Sequence, residues 1–197
     1  GVLLRENIFD KIWIQPAAGD AGGALGAALC AQYIYNKKNR TIPKKLDSMN
    51  GSYLGPAFDN KEIETTLKSC EAKFKKLDDD DLINQVSEAL NNKKAIGWMQ
   101  GRMEFGPRAL GSRSIIADPR CPLMQKQLNL KVKYRESFRP FAPSVLREDV
   151  NEWFEYNTDS PYMLMVAPVQ KKKCYASGEK ENFFFGIEKL KIQRSSI

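Results

Sequence analysis

Two rhythms of apolar and polar positions run along this chain. From Glu62 to Lys76 the apolar residues Ile63, Leu67, Cys70 and Phe74 recur at spacings of four, three and four. That spacing is one stripe of a helix with 3.6 residues per turn. Asp78 to Asp81 places negative charge at the start of a second predicted helix, where the helix dipole favours it. This helix runs to about Leu90, with Leu82, Ile83, Val86 and Leu90 on one face, and Asn91 to Lys94 end it. Short apolar runs follow. Ala95–Gln100 and Ser114–Ala117 predict strands, with a turn at Asp118-Pro119. Pro122–Val132 predicts a helix whose core residues are Leu123, Leu128 and Leu130, and Phe141–Leu146 and Tyr162–Val169 predict further strands. Near the N-terminus, Phe9–Ile14 alternates like a strand and leads into a glycine-rich, alanine-rich helix that ends at about Tyr35. Asp20 or a neighbour is placed to cap it. Helices that alternate with strands predict an α/β or α+β fold.

The stretch Asn36–Asn60 breaks this regularity with two prolines and two glycines. It reads as a linker, which divides the chain into residues 1–36, a connection over 37–60, and a main domain over 61–197. With 197 residues, 42% hydrophobic and 28% charged, the composition is that of a globular protein. No run approaches the roughly 18 apolar residues of a membrane span, and acids and bases interrupt the N-terminal segment where a signal peptide would be apolar. The four cysteines lie far apart with no C-x-x-C pair. They read as reduced thiols in a cytoplasmic protein, not as a zinc site or a disulfide framework. Histidine is absent, which removes imidazole acid–base chemistry and His-based triads from this chain.

The formal charge of +7 is concentrated in one segment. Between Gly101 and Pro140 nine bases face three acids, a local excess of +6, and six of the nine are arginines. A solvated basic face is the ordinary meaning of such a stretch. Here the arginines alternate with Gly, Pro and aromatics, as they do in a pocket. Arginine presents a planar fork of donors that matches phosphate or carboxylate oxygens in pairs. In GRMEFGPRALGSRSIIADPR, Gly101, Gly106 and Gly111 recur every five residues, with Arg102, Arg108 and Arg113 close behind. Only Glu104 and Asp118 lie near enough in sequence to neutralise them. An anionic ligand is therefore expected. In KVKYRESFRPFAPS, Lys131, Lys133 and Arg135 alternate, so that as a strand they would share a side, and Arg139 and Ser144 follow. Ser144 has no histidine to activate it and reads as a hydrogen-bond donor. Arg102, Arg108, Arg113, Arg135 and Arg139 are expected to converge on one concave site. The run Lys171–Lys173 reads as a solvated loop.

These two segments strongly resemble the C-terminal domain of the family of nodulation protein U and the cephalosporin-type O-carbamoyltransferases. QPAAGDAGGALGAAL resembles the last part of that family's N-terminal domain, and SYLGPAF its inter-domain connection. The resemblance runs to about Asp149. It implies a YrdC-like α/β domain preceded by a fragment of an actin-like ATPase-fold domain. It further implies that the first forms carbamoyl-adenylate from carbamoyl phosphate and ATP, and that the second, with a divalent metal, transfers the carbamoyl group to an acceptor hydroxyl. On this resemblance Arg108 and Arg113 are the catalytic residues. Arg102, Lys131, Lys133, Arg135, Arg139 and Ser144 bind substrate and nucleotide, and Asp20 stands at the place of a metal-binding aspartate, where it could equally be a plain helix cap.

The family's metal-binding histidines and its pattern beyond a segment like Phe183–Ile197 are missing, which implies a piece of a longer protein, cut at both ends. The missing remainder of the N-terminal domain is then its natural partner. The apolar residues Ala24, Leu25, Ala27, Ala28 and Leu29 would be left without one. Two other readings compete: a YrdC-like basic module that binds RNA in tRNA modification, and a non-catalytic interaction domain. Arginines set in Gly/Pro loops modestly disfavour RNA, whose groove would more often show lysine-rich faces with exposed aromatics.

Overall fold

The computed structural model describes residues 1–42 and 47–174. The expectation for the segment from Phe183 onward lies outside the described residues. The element order is mostly helical. A short helix α1 (Val2–Arg5) precedes α2 (Asp20–Cys30), which a π-helical turn extends over Ala31–Tyr35. Then come α3 (Asn60–Ser69), α4 (Asp79–Asn91), strands β1 (Ile96–Met99) and β2 (Arg113–Ile116), α5 (Met124–Gln127) with a π-helical turn over Leu128–Val132, and α6 (Val150–Trp153). β1 and β2 form a small antiparallel sheet. The mixture of helices and a sheet is consistent with the α/β expectation.

Local chemistry sets the helix starts. Asp59 accepts the Glu62 N–H while the Glu62 carboxylate accepts the Asp59 N–H, a reciprocal cap. Asp78 caps α4 through the Asp81 N–H at 2.8 Å. α2 starts without a side-chain cap: Gly19 is its cap residue, Asp20 its first helical residue, and the Gly22 N–H reaches back to the Ala17 carbonyl at 2.7 Å. The Asp20 carboxylate therefore has no capping duty. α2 has no buried residue, and Ala24, Ala27, Ala28 and Leu29 are exposed.

Three predicted strands do not form. Phe9–Ile14 has no ladder partner among the described residues, and its Trp13 turns edge-on to Tyr162 instead. Phe141–Leu146 is flanked and interrupted by Pro140 and Pro143, which offer no N–H to a ladder. Of Tyr162–Val169, only Val169 bridges, to Phe154. Lys131 lies in the π-helical turn, not on a strand with Lys133 and Arg135. Of the expected core positions in this helix Leu128 is buried, and the other two are not. The helix starts at Met124, so Met124 and Leu128 share its inner face with Cys121, against Ile115, Ala117 and Phe141. Leu123 and Leu130 are exposed.

The chain falls into two compact units. The first comprises Gly1–Lys76, Gly97–Ser114 and Ser160–Met165, and the second Leu77–Ile96, Ile115–Asp159 and the described residues from Val166. No helix among the described residues is long and apolar enough to cross a membrane.

Candidate active site

In the first unit, the segment that follows β1 is a glycine-bracketed loop folded around a buried carboxylate. Glu104 is 4% exposed. Its Oε1 accepts the backbone N–H groups of Leu110 (2.9 Å), Ser112 (2.7 Å) and Arg113 (3.0 Å), and its Oε2 accepts Nε of Arg113 at 2.9 Å. Arg113 Nη2 donates to the Glu104 carbonyl at 3.0 Å. Burial alone would raise the Glu104 pKa. The hydrogen bonds from the Leu110 N–H and from the Arg113 side chain and N–H outweigh burial and bring it to about 2. Glu104 is thus ionised, buried and fully bonded.

A second strip of chain clamps this loop from outside. The Gly55 N–H donates to the Met103 carbonyl (2.9 Å), and the Met103 N–H donates to the Pro56 carbonyl (2.8 Å). The Phe105 N–H donates to the Ser52 carbonyl (2.6 Å), Arg102 Nη1 to the Gly55 carbonyl (2.6 Å), and Tyr53 Oη to the Leu110 carbonyl (2.6 Å). Ser52 and Met49 are buried in the process.

The loop tip meets the start of α2. There a half-open cleft of about 520 Å³ is lined by Ala17–Ala21, Gly106, Pro107, Arg108, Tyr162 and Leu164, a size within the range of small-molecule sites. Gly106 has a φ of +95°, and a Cβ there would lie 2.4 Å from the Ala17 Cβ. Only glycine allows this approach. Tyr162 closes another wall. Its Oη donates to Asp47 Oδ2 and accepts the Gly51 N–H at 3.1 Å. Burial first, and then the Asp47 carboxylate, push its pKa up to about 12. Its ring stands edge-on to Trp13 at 6.3 Å.

The cleft therefore gathers Arg108 and Asp20 from among the expected residues. Arg108 is exposed and makes no ion pair among the described residues. Arg102 and Arg113 lie in the same unit, with their donors directed to Gly55 and Glu104. The other expected residues belong to the second unit. There Asn129 is fully buried and donates to the carbonyls of Ser137 (3.1 Å) and Arg139 (2.8 Å). Its Oδ1 accepts Nε of Arg135 at 2.6 Å, and the Arg135 guanidinium lies 5.0 Å from the centroid of the Phe141 ring. Arg139 pairs with Glu136, and Lys131, Lys133 and Ser144 are exposed. No group of three ligating side chains that could hold a metal occurs among the described residues. One carboxylate, that of Asp20, does not make a metal centre.

In the sequence, Glu104 stands out only as an acid near the arginines, and Tyr162, Asp47 and Asn129 do not stand out at all. Glu104 had a readable signal: an acid between two glycines, followed by a loop with many backbone N–H groups to satisfy. Tyr162 had none, since its partners Asp47 and Gly51 are distant in sequence, and nothing in the sequence marks Asn129, although its partners Arg135, Ser137 and Arg139 follow it closely.

Residues 1–29 match the family described as Carbamoyltransferase N-terminus, and residues 87–184 match Carbamoyltransferase C-terminus. The chain belongs to the carbamoyltransferase family. An uncharacterised protein of Synechocystis is 55% identical over 199 residues, covering 100% of this chain and 32% of that protein. Nodulation protein NolNO of Sinorhizobium fredii is 43% identical over 177 residues, covering 88% of this chain and 25% of its own length. Nodulation protein U of Rhizobium fredii is 32% identical over 165 residues, covering 82% and 25%. The chain thus spans between a quarter and a third of these curated relatives. Within the family's two matched regions, Ala17–Ala21 of the cleft come from the first, and Gly106–Arg108, Tyr162 and Leu164 from the second.

Proposed function

We propose that this chain is part of an O-carbamoyltransferase that activates a carbamoyl group before transferring it. Carbamoyl phosphate, ATP and water give carbamoyl-adenylate, with orthophosphate and pyrophosphate released. The acceptor hydroxyl then displaces AMP and gives its proton to solvent. Both substrates are polyanions, and chemistry on them depends on positioning and charge neutralisation.

The observation that carries this reading is the cleft itself. One wall is the start of α2, from the region matched to the family's N-terminus, and the facing wall is the loop with Arg108, from the region matched to its C-terminus. Arg108 supplies an uncommitted guanidinium, and Tyr162 and Leu164 supply an apolar side. Arg135 and Arg139, on the loop that Asn129 holds, and Lys131, Lys133 and Ser144 to either side of it are proposed as further substrate-binding residues. Asp20 is proposed as a metal ligand only together with groups from outside this chain.

Pyrophosphate release from ATP by the full-length protein tests the reading. Release that requires carbamoyl phosphate supports it. Release indifferent to carbamoyl phosphate, or none at all, rejects it.

A further inference from the structure

Arg108 and Arg113 are chemically alike in sequence, yet the structure uses them differently. Arg113 spends Nε on the Glu104 carboxylate and Nη2 on the Glu104 and Gly106 carbonyls, the latter at 3.5 Å. The Glu104 side chain is wholly inaccessible, and it collects three backbone N–H groups from the far end of the same loop. Arg108, between these anchor points, is exposed at the cleft. A carboxylate that already has four donors and a charge partner has no role left in proton transfer. It can hold a shape.

We propose that Glu104 is a positioning residue which, with Arg113, fixes the loop so that Arg108 rather than Arg113 meets the anionic substrate. This rests on the reading of the cleft as a site for carbamoyl phosphate and ATP. Anchoring both ends of the loop on one buried carboxylate pre-orders the guanidinium, so that less freedom is lost when an anion binds.

The first test needs no ligand. Phenylglyoxal labelling of the full-length protein, read by peptide mass spectrometry, should modify Arg108 about tenfold faster than Arg113, whose donors are held in charge-assisted bonds. In Glu104→Gln the two should label at similar rates. Equal labelling in the wild type overturns the proposal. The second test measures binding of carbamoyl phosphate and of ATP. Glu104→Gln should weaken binding about tenfold, yet add no more than about twofold in an Arg108→Ala background. Additive losses would mean that Glu104 acts elsewhere, and would overturn the proposal. If Glu104→Gln does not fold, Arg113→Lys decides. It should weaken binding, because a lysine cannot keep the contacts with Glu104 and Gly106 that hold the loop, yet add no more than about twofold in an Arg108→Ala background, whereas a loss that adds in full would mean that Arg113 itself meets the anion and overturns the proposal. If neither probe binds the wild type, the carbamoyl phosphate reading fails, and the labelling result still decides the role of Glu104.

Discussion

Gly106 and Ala17 are in contact so close that a methyl group on Gly106 would lie 2.4 Å from that of Ala17. This contact joins the arginine loop to the start of α2 and shapes the cleft between them. Gly106→Ala should therefore part the two walls. The strain and the clash should cost about 1–3 kcal/mol in denaturant unfolding, and ATP binding should be lost. Gly101→Ala is the control, with a φ of +65° and open space around the new Cβ. It should cost only about 1 kcal/mol of backbone strain and leave binding intact. Equal effects of the two substitutions would reject the contact as the cause.

Glu104 gives the protein a defined acid sensitivity. Its folded pKa of about 2 lies below the ordinary 4.5. Its stabilisation is therefore complete above about pH 4.5 and is lost as the pH falls towards 2. The shift corresponds to about 3 kcal/mol. Urea unfolding of wild type and Glu104→Gln should differ most at neutral pH, and the gap should close on acidification. A gap independent of pH would assign the stabilisation elsewhere.

Tyr162 titrates in the opposite direction. With a folded pKa of about 12 against an ordinary 10, its neutral form stabilises the fold below pH 10, and that contribution is lost as the pH rises towards 12. The protein has seven tyrosines. Phenolate absorbance should show one late component that Tyr162→Phe removes. The variant also leaves Asp47 and the Gly51 N–H without their partner, at a cost of about 1–3 kcal/mol. If the late component survives the substitution, Tyr162 is not its source.

Asn129 organises the other arginine loop by three hydrogen bonds from a fully buried position. Asn129→Ala should cost about 2–4 kcal/mol, since the Ser137 carbonyl and Nε of Arg135 lose their partner at once and the Arg139 carbonyl keeps only Gln125. Asn129→Asp should also destabilise, because a carboxylate cannot donate to the Ser137 and Arg139 carbonyls. Wild-type stability in either variant would show that the loop is held by its own turns, with Gln125 and the Arg139–Glu136 pair sufficing.

The helices were legible because their signal is local. The four-three-four stripe of α3, the acids ahead of α4 and the alanine-rich run of α2 each act within a few turns. β1 and β2 were legible as short apolar runs on either side of a glycine loop. Phe9–Ile14 and Tyr162–Val169 carry similar apolar patterns, but a strand exists only with a ladder partner, and that partner is not written in the segment itself. The site divides in the same way. Chemical type is visible in sequence, so the arginines stood out. Which arginine is engaged by Glu104 and which is free depends on where a buried carboxylate lies in space. Tyr162 and Asn129 act through partners that sequence spacing does not reveal.

The exchange of hydrogen bonds between Met103 and Gly55–Pro56 bears on the order of folding. The cleft needs residues 17–21, 47–56, 102–113 and 160–164 together, and each meeting closes a long stretch of chain, at an entropic cost incurred before any contact repays it. Helices α2, α3 and α4 need no such closure and can nucleate within microseconds. During refolding, helical circular dichroism should therefore return first, and the fluorescence of Trp13, which reports its edge contact with Tyr162, should return last. A newly made chain passes through an interval in which it is helical but has no place to put a ligand.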